Sequence, residues 1–260
     1  MTRTAEIVRL DLAHGGWVQG QLSWQCLPAD FAVVFLHGFC SVRYGEKAQA
    51  LEEACAQRGW PFATFDFRGH GESSGTTREL TGSGLLADLN AVQGFLAARG
   101  VRRLCLFGSS MGGWAAAWYA LRNPQRVIAN ALLAPGFHIL TARWEKLSPH
   151  EQAEWKRTGV LHIKNPWLET DLGYGFVQEA PHFPQEQLWR EYATPTLIFQ
   201  GMRDEIVPPS RTQTFLDRCQ HPHLEVRWYK DSDHRLTDRK EEMAEAACEF
   251  YARWSDRVSC

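Results

Sequence analysis

A serine set between glycines, at a predicted junction of strand and helix, is the part of this sequence best suited to chemistry. The pentapeptide Gly108-Ser-Ser-Met-Gly112 follows an apolar run at 103–107 that predicts a buried strand, and it precedes a run at 114–121 that predicts a helix. The glycines allow a sharp turn that would expose the hydroxyl of Ser110 on strained backbone, an arrangement known as a nucleophile elbow. The helix N-terminus would also aim the Met111 backbone N–H at a developing oxyanion.

The same pentapeptide occurs by chance in many chains, so its interpretation depends on what accompanies it. A serine hydroxyl is almost wholly protonated at neutral pH, and a nucleophilic serine therefore needs a base. His234 follows the last predicted strand, at the carboxyl edge of the sheet where Ser110 also lies. Asp204 follows the preceding strand, and its carboxylate would fix the imidazole tautomer and stabilise the charged ring. We therefore predict a catalytic triad of Ser110, His234 and Asp204.

Two other carboxylates compete with Asp204 for the third position. Glu205 would point elsewhere on the same turn, and Asp233 abuts His234 too closely in sequence to reach the far ring nitrogen comfortably. On these grounds Asp204 is the preferred carboxylate.

An oxyanion needs a second donor, which is expected from a loop after an earlier strand. His37-Gly-Phe39 follows the predicted strand at 31–36, where Gly38 permits close approach and the Phe39 N–H would pair with that of Met111. His37 and His70 are expected to brace their own loops rather than to act as bases.

Strand and helix patterns alternate along the chain and predict an α/β fold: a mostly parallel, doubly wound sheet with helices on both faces. Ligands bind such sheets at the carboxyl ends of the strands. Residues 6–12 and 17–24, joined at His14-Gly-Gly16, predict an antiparallel hairpin at the sheet edge. Further strands are predicted at 31–36, 61–65, 103–107, 127–133, 196–200 and 224–229, and helices at 46–58, 85–98, 111–122, 210–219 and 238–254.

The composition changes over residues 137–192, within what we take to be one domain spanning 1–260. This segment shows no strong strand pattern, and Ser148-Pro-His-Glu151 predicts a capped helix that ends near Gly159. We therefore expect a helical lid insertion over the carboxyl edge of the sheet. Most of its tryptophans should pack the insertion against the body, while the remainder would wall an apolar pocket. These tryptophans are at positions 144, 155, 167 and 189.

Composition excludes several classes of function. The net charge of −2 offers no electrostatic footprint for nucleic acid, and the apolar run at 114–121 falls far short of the ~20 residues that span a bilayer. The cysteines are odd in number and include no C-x-x-C pair, while no metal, P-loop or dinucleotide motif is present. We expect no cofactor and no metal. The first residues lack a secretory signal pattern, which predicts a cytoplasmic location.

Together the motifs resemble the α/β-hydrolase superfamily over about residues 31–250, and the order Ser110, Asp204, His234 is the order of that fold. The chain is most similar to serine esterases of the acyl-glucuronide esterase and palmitoyl-protein thioesterase group. The resemblance implies the triad above, with Phe39 and Met111 as oxyanion donors. The superfamily motifs are His37-Gly-Phe39, Asp66-Phe-Arg-Gly-His-Gly-Glu-Ser73, Gly108-Ser-Ser-Met-Gly-Gly113, Gly201-Met-Arg-Asp-Glu-Ile-Val-Pro208 and Ser232-Asp-His234.

Three aromatic residues are candidates for substrate contacts. Tyr44 begins the segment Tyr44-Gly-Glu-Lys-Ala48, and Tyr174 lies in Gly173-Tyr-Gly-Phe-Val-Gln-Glu-Ala180. Both segments carry the closer likeness to this esterase group. The third candidate is Trp144 of the insertion.

These residues predict a hydrolase of carboxylic esters or thioesters that acts on a small-molecule or acyl-chain substrate through an acyl-enzyme. Two alternatives stay open: a carbon–carbon bond hydrolase of ring-cleavage products, and a non-catalytic protein that binds ligands on a hydrolase fold. Haloalkane dehalogenation is disfavoured because that chemistry requires a carboxylate at position 110. Acyl length, leaving group and oligomeric state are not readable from the sequence.

Overall fold

The computed structural model describes residues 4–13, 15–165 and 168–255 of the chain. His14, Trp167 and Cys260, which entered the sequence arguments, lie outside the described residues. The strands are β1 (Thr4–Asp11), β2 (Trp17–Trp24), β3 (Phe31–Leu36), β4 (Phe62–Phe65), β5 (Arg103–Ser109), β6 (Val127–Leu133), β7 (Val160–Asn165), β8 (Leu168–Gly173), β9 (Thr196–Gly201) and β10 (Leu224–Tyr229). The α-helices are α1 (Glu46–Gln57), α2 (Gly82–Ala97), α3 (Met111–Arg122), α4 (Ile139–Ala142), α5 (Pro149–Thr158), α6 (Gly175–Gln178), α7 (Gln185–Glu191), α8 (Pro209–Arg218) and α9 (Lys240–Ser255).

The predicted sheet is confirmed. Over the described residues it has eight strands in the order β1-β2-β4-β3-β5-β6-β9-β10. Strands β1 and β2 form the predicted antiparallel hairpin at one edge, and from β4 to β10 all neighbours run parallel. The central strands are buried along their whole length because helices cover both faces. One hydrophobic core packs α2 and α3 on the sheet, and a second packs α1 and α9 on its other face.

Two helix starts follow from their caps. Helix α2 begins at Gly82, three residues before its predicted start, because Thr81 Oγ1 accepts a hydrogen bond from the Gly84 N–H. Helix α5 has the predicted capping box, in which Ser148 and Glu151 satisfy each other's backbone N–H groups. Gly159 ends this helix with a φ of +77°.

The insertion contains a feature that differs from the purely helical segment expected for 137–192. Strands β7 and β8 pair antiparallel as a separate two-stranded sheet. Their apolar residues alternate with charged ones, so that Ile163 and Leu172 are buried while Lys164 and Glu169 form a cross-strand ion pair at 2.8 Å. Each strand contains only two or three branched aliphatic residues, too short a run for the alternation to be recognised from the sequence.

The β7–β8 hairpin is attached to the body of the domain at a short 3-10 segment, Thr77–Glu79. The hydroxyl of Thr77 contacts that of Thr170 at 2.8 Å and donates to the Asp171 carbonyl at 2.7 Å. A Cβ atom on Gly173 would lie 1.8 Å from the Arg78 carbonyl oxygen, so only glycine allows this close approach. Among the described helices, none combines the length and the apolar character needed to cross a membrane.

Candidate active site

The turn from β5 into α3 has the geometry expected of a nucleophile elbow. Ser110 adopts φ +51° and ψ −106°, a strained conformation for a residue with a side chain. A Cβ atom on Gly112 would lie 2.1 Å from the Leu36 carbonyl oxygen, and one on Gly108 would lie 2.4 Å from the Gly112 carbonyl oxygen. Both glycines are therefore required by the close packing of backbone around Ser110.

The structure brings Ser110, His234 and Asp204 into one hydrogen-bonded line. His234 Nε2 lies 3.1 Å from Ser110 Oγ, and His234 Nδ1 lies 2.8 Å from Asp204 Oδ2. A carboxylate can only accept, so Nδ1 carries the ring proton and the lone pair of Nε2 faces the serine hydroxyl. The Asp204 side chain is fully buried, whereas that of His234 is 15% exposed. The accessible end of the line is therefore at the serine.

Asp204 is held by more than the histidine. Its Oδ1 accepts from the N–H groups of Ile206 at 2.9 Å and Val207 at 2.8 Å, and its Oδ2 accepts from Gln200 Nε2 at 3.2 Å. The Gln200 amide is oriented in turn because its Oε1 accepts from Thr212 Oγ1 at 2.7 Å. The sequence analysis did not identify Gln200, although an amide at the end of the apolar run at 197–199 is a usable signal for a buried polar contact.

The two competing carboxylates lie elsewhere. Glu205 is exposed on the turn. Asp233 is also exposed, and its Oδ1 accepts a hydrogen bond from the Arg235 N–H at 2.8 Å. Of the candidates considered from the sequence, Asp204 is the carboxylate that contacts His234.

The loop at 37–45, between β3 and α1, lies against the elbow. A Cβ atom on Gly38 would be 3.5 Å from the Cβ atom of Ser110, which places the next residue, Phe39, beside the serine. Within the described chain, the backbone N–H groups of Phe39 and Met111 donate no hydrogen bond to another residue. Two backbone donors beside one serine hydroxyl are suited to hold an oxyanion.

His37 and His70 lie beneath this loop with their rings 5.0 Å apart. His37 Nδ1 donates to the Gly38 carbonyl at 2.8 Å, and its Nε2 accepts from the Phe67 N–H at 2.9 Å. Burial, with a further contribution from His70, lowers the pKa of His37 to about 3, and burial also lowers the pKa of His70. Both rings are therefore neutral near pH 7, as suits residues that brace a loop.

The three aromatic residues predicted to contact substrate also contact other residues of the protein. The Tyr44 hydroxyl accepts from Arg43 Nη2 at 2.6 Å, and the tyrosine ring remains 47% exposed. Trp144 and Tyr174 pack against each other, with ring centroids 5.8 Å apart, and both pack against the buried Trp155. Substrate contact by Tyr44, Trp144 and Tyr174 stays a prediction. Trp144 and Trp155 hold segments of the insertion together, whereas the Trp189 ring lies against the Arg218 guanidinium of α8.

A cavity of about 230 Å³ opens between α3, the segment after β6 and the insertion. The Ser110 carbonyl accepts from the Gly136 N–H at 3.0 Å, and the next residue, Phe137, lines the cavity, whereas Ser110 and His234 are not among its lining residues. Its buried walls are apolar, and its rim is polar. The walls are Trp114, Phe137, Leu140 and Phe183, and the rim includes His138, Glu145, Gln185 and Glu186.

In the part of the chain that the structure describes, no group of three or more His, Cys, Asp or Glu side chains is placed to hold a metal ion.

Comparison with known proteins gives the same fold. Residues 28–172 match the family described as serine aminopeptidase, S33. Over 209 residues the chain is 30% identical to the palmitoyl-protein thioesterase ABHD10, mitochondrial, of Rattus norvegicus, and the match covers 79% of this chain and 69% of the relative. The solved structure of the alpha/beta hydrolase domain-containing protein 10 from mouse matches with a TM-score of 0.79 and 26% identity, over 97% of this chain and 99% of that one.

The solved structure of Est1E from Butyrivibrio proteoclasticus with ferulic acid bound is 20% identical. It matches with a TM-score of 0.80 over 96% of this chain and 99% of that one, a likeness of fold alone. The family match covers more than half of the 260 residues, and the thioesterase relative extends it towards the C-terminus. The chain therefore belongs to the serine aminopeptidase S33 family and is an α/β-hydrolase of the kind that cleaves esters or thioesters.

Proposed function

We propose that this protein hydrolyses carboxylic esters or thioesters through an acyl-enzyme formed on Ser110. Ser110 Oγ attacks the acyl carbon while His234 Nε2 takes the hydroxyl proton. The carbonyl oxygen becomes an oxyanion, which the N–H groups of Phe39 and Met111 stabilise. The observation that carries the proposal is the hydrogen-bonded line from Ser110 through His234 to the buried Asp204.

The remaining steps balance the proton. When the tetrahedral intermediate collapses, His234 gives its proton to the leaving alcohol or thiol, and the acyl group stays on Ser110. Water then attacks the acyl carbon while His234 takes a proton from that water. The bond between the acyl carbon and Ser110 Oγ breaks, His234 returns the proton to Oγ, and the carboxylic acid is released. Asp204 accepts from His234 Nδ1 throughout, which stabilises the imidazolium that forms twice in each cycle.

The cavity beside Gly136 is the proposed site for the acyl group. Its apolar walls suit a hydrocarbon or aromatic acyl chain. Its volume of about 230 Å³ lies below the roughly 300–1,000 Å³ typical of pockets that enclose a drug-sized ligand. A palmitoyl chain, the group named for the rat relative, would extend beyond this cavity. We therefore expect short and medium acyl groups to be preferred.

The test of the proposed function is Ser110→Ala with a panel of p-nitrophenyl esters and acyl thioesters of increasing chain length. Turnover should fall to the level of the uncatalysed reaction, and labelling by a fluorophosphonate probe should disappear. Circular dichroism and the thermal midpoint should stay close to those of the wild type. Turnover that survives in the Ser110→Ala variant ends the proposal.

The compartment in which the protein acts is a separate prediction. The scattered cysteines, which include no C-x-x-C pair, favour a reducing compartment such as the cytosol. The rat relative is named as mitochondrial, so cell fractionation of the full chain is the relevant measurement. Recovery of the protein with mitochondria would refute the cytoplasmic prediction and would leave the proposed chemistry untouched.

A further inference from the structure

The loop at 37–45 carries the Phe39 N–H, yet most of its length is exposed. Cys40, Ser41, Val42 and Tyr44 face solvent, and Cys40 adopts a positive φ of 53°. The turn is closed by one backbone hydrogen bond, from the Ser41 N–H to the Gly38 carbonyl at 3.2 Å. A loop with so little internal support needs anchors at its ends to hold a backbone N–H in a fixed direction.

The first anchor is His37, which is almost fully buried. Its Nε2 accepts from the Phe67 N–H, and its Nδ1 donates to the carbonyl of Gly38, the residue just before Phe39. This anchor therefore fixes the start of the loop to residue 67.

The second anchor is Arg43, which is only 1% exposed. Its backbone N–H donates to Asp66 Oδ1 at 2.7 Å, while its guanidinium Nη1 donates to Asp66 Oδ2. Asp66 is itself fully buried, and it also accepts from the Glu72 N–H at 3.1 Å. The Thr64 hydroxyl donates to the Arg43 carbonyl at 3.2 Å. This anchor fixes the end of the loop to residue 66.

The two anchors, Arg43 and His37, bond to the consecutive residues Asp66 and Phe67, which directly follow β4. We propose that Arg43 is a positioning residue, which acts through Asp66 to hold the loop at 37–45 and so to aim the Phe39 N–H at the oxyanion. The inference rests on the proposed function, because it assigns Arg43 a role in the oxyanion contact of that mechanism.

The shape of the guanidinium matters to this role. It is planar, and it donates on one side to Asp66 and on the other to the Tyr44 hydroxyl and to Glu72, whose side chain is exposed. A lysine ammonium is a compact point charge and cannot span these acceptors. Arg43→Lys therefore keeps the buried positive charge and removes the fork.

Arg68→Lys is the matched control. Arg68 Nε donates to Asp88 Oδ1 at 2.6 Å. Asp88 is almost fully buried, as Asp66 is, while the Arg68 side chain is 32% exposed. Arg68 lies only two residues beyond Asp66, but it bonds to α2 rather than to the loop at 37–45. An ion pair that serves stability alone would give the same result at both positions.

The experiment measures kcat and KM for a p-nitrophenyl ester, and the inhibition constant of a trifluoromethyl ketone, which forms a tetrahedral adduct with the serine. In Arg43→Lys we expect kcat to fall by about 10- to 100-fold, below the full 10²–10³-fold loss of an oxyanion donor, while KM changes little. Adduct affinity should weaken by the same factor. In Arg68→Lys both constants should stay within about twofold of the wild type.

The inference is overturned if Arg43→Lys keeps both kcat and adduct affinity at the level of Arg68→Lys, or if kcat falls while adduct affinity is unchanged. Should Arg43→Lys fail to fold, Arg43→Met combined with Asp66→Asn removes both buried charges, while the asparagine oxygen keeps an acceptor for the Arg43 backbone N–H. That double variant should fold and show the same loss in kcat and adduct affinity, and normal constants there would overturn the inference. A wild type that neither turns over esters nor binds the ketone would refute the proposed function, and this inference with it.

Discussion

Replacement of Asp204 by asparagine tests the proposed mechanism at its most buried point. The asparagine oxygen can keep the contacts with the N–H groups of Ile206 and Val207. The amide nitrogen must then face Gln200 Nε2 and His234 Nδ1, which are both donors in the wild type. The imidazole relieves this conflict by moving its proton to Nε2, so that an N–H rather than a lone pair faces Ser110.

The expected fall in kcat follows from the loss of His234 as the general base. A histidine in the wrong tautomer cannot accept the serine proton, and such a change lowers kcat by roughly 10⁴-fold, or about 5.5 kcal/mol of transition-state stabilisation. The free energy of unfolding should fall by about 1 kcal/mol, because Gln200 Nε2 loses Asp204 as an acceptor but keeps the carbonyls of Gly201 and Val207. KM should change little, since Asp204 is buried and its side chain does not face the substrate.

The assay is steady-state hydrolysis of a p-nitrophenyl ester, combined with urea unfolding of the same preparations. Asp233→Asn is the matched control, because that carboxylate is adjacent to His234 but exposed, and we expect it to keep kcat within about twofold. Retention of a tenth or more of wild-type kcat by Asp204→Asn would refute the reasoning. A comparable loss of kcat in Asp233→Asn would refute the choice of Asp204.

Two further predictions concern pH and chain length. The folded-state pKa of His37, about 3, lies below the ordinary value of 6.5, so the unfolded chain binds a proton that the folded chain does not in this range. The contribution of neutral His37 to the free energy of unfolding is complete above pH ~6.5. It decreases as the pH falls towards 3, and the loss is ~2 kcal/mol at pH 5. Unfolding curves should lose this portion of the pH dependence in His37→Asn, and an unchanged dependence would contradict the assignment. Ala180 also lines the cavity of about 230 Å³. Ala180→Phe should occupy part of it and lower kcat/KM for hexanoate relative to acetate esters by about 10-fold, whereas equal effects on both would exclude this cavity as the acyl site.

The sequence predicted most of the central sheet because its signals are local. The apolar run of β5, the helix-forming residues of α3 and the glycines between them lie next to one another in the chain. The capping box at Ser148 and Glu151 is equally local, and it gave the start of α5 without reference to the rest of the fold. The sequence did not predict the hairpin formed by β7 and β8, because the alternation of apolar and charged residues in these strands is short.

In the candidate site, too, chain order indicates some features and only the structure shows the others. That Ser110, Asp204 and His234 lie at one sheet edge follows from their places after parallel strands, which chain order alone indicates. That Asp204 rather than Asp233 faces the imidazole is seen in the distance of 2.8 Å between Asp204 Oδ2 and His234 Nδ1. No sequence motif includes Gln200, whose side-chain amide donates to Asp204.

By itself, the sequence determined the elbow, the order of the three polar residues and the alternation of strands and helices, since each depends on neighbours within a few residues. The tertiary structure decided which side chains meet across elements. Arg43 and Asp66 are 23 residues apart, and Thr77 and Thr170 are 93 apart. Such pairs form because strand order and helix packing bring distant backbone together, and no local periodicity specifies the side chains that then face each other.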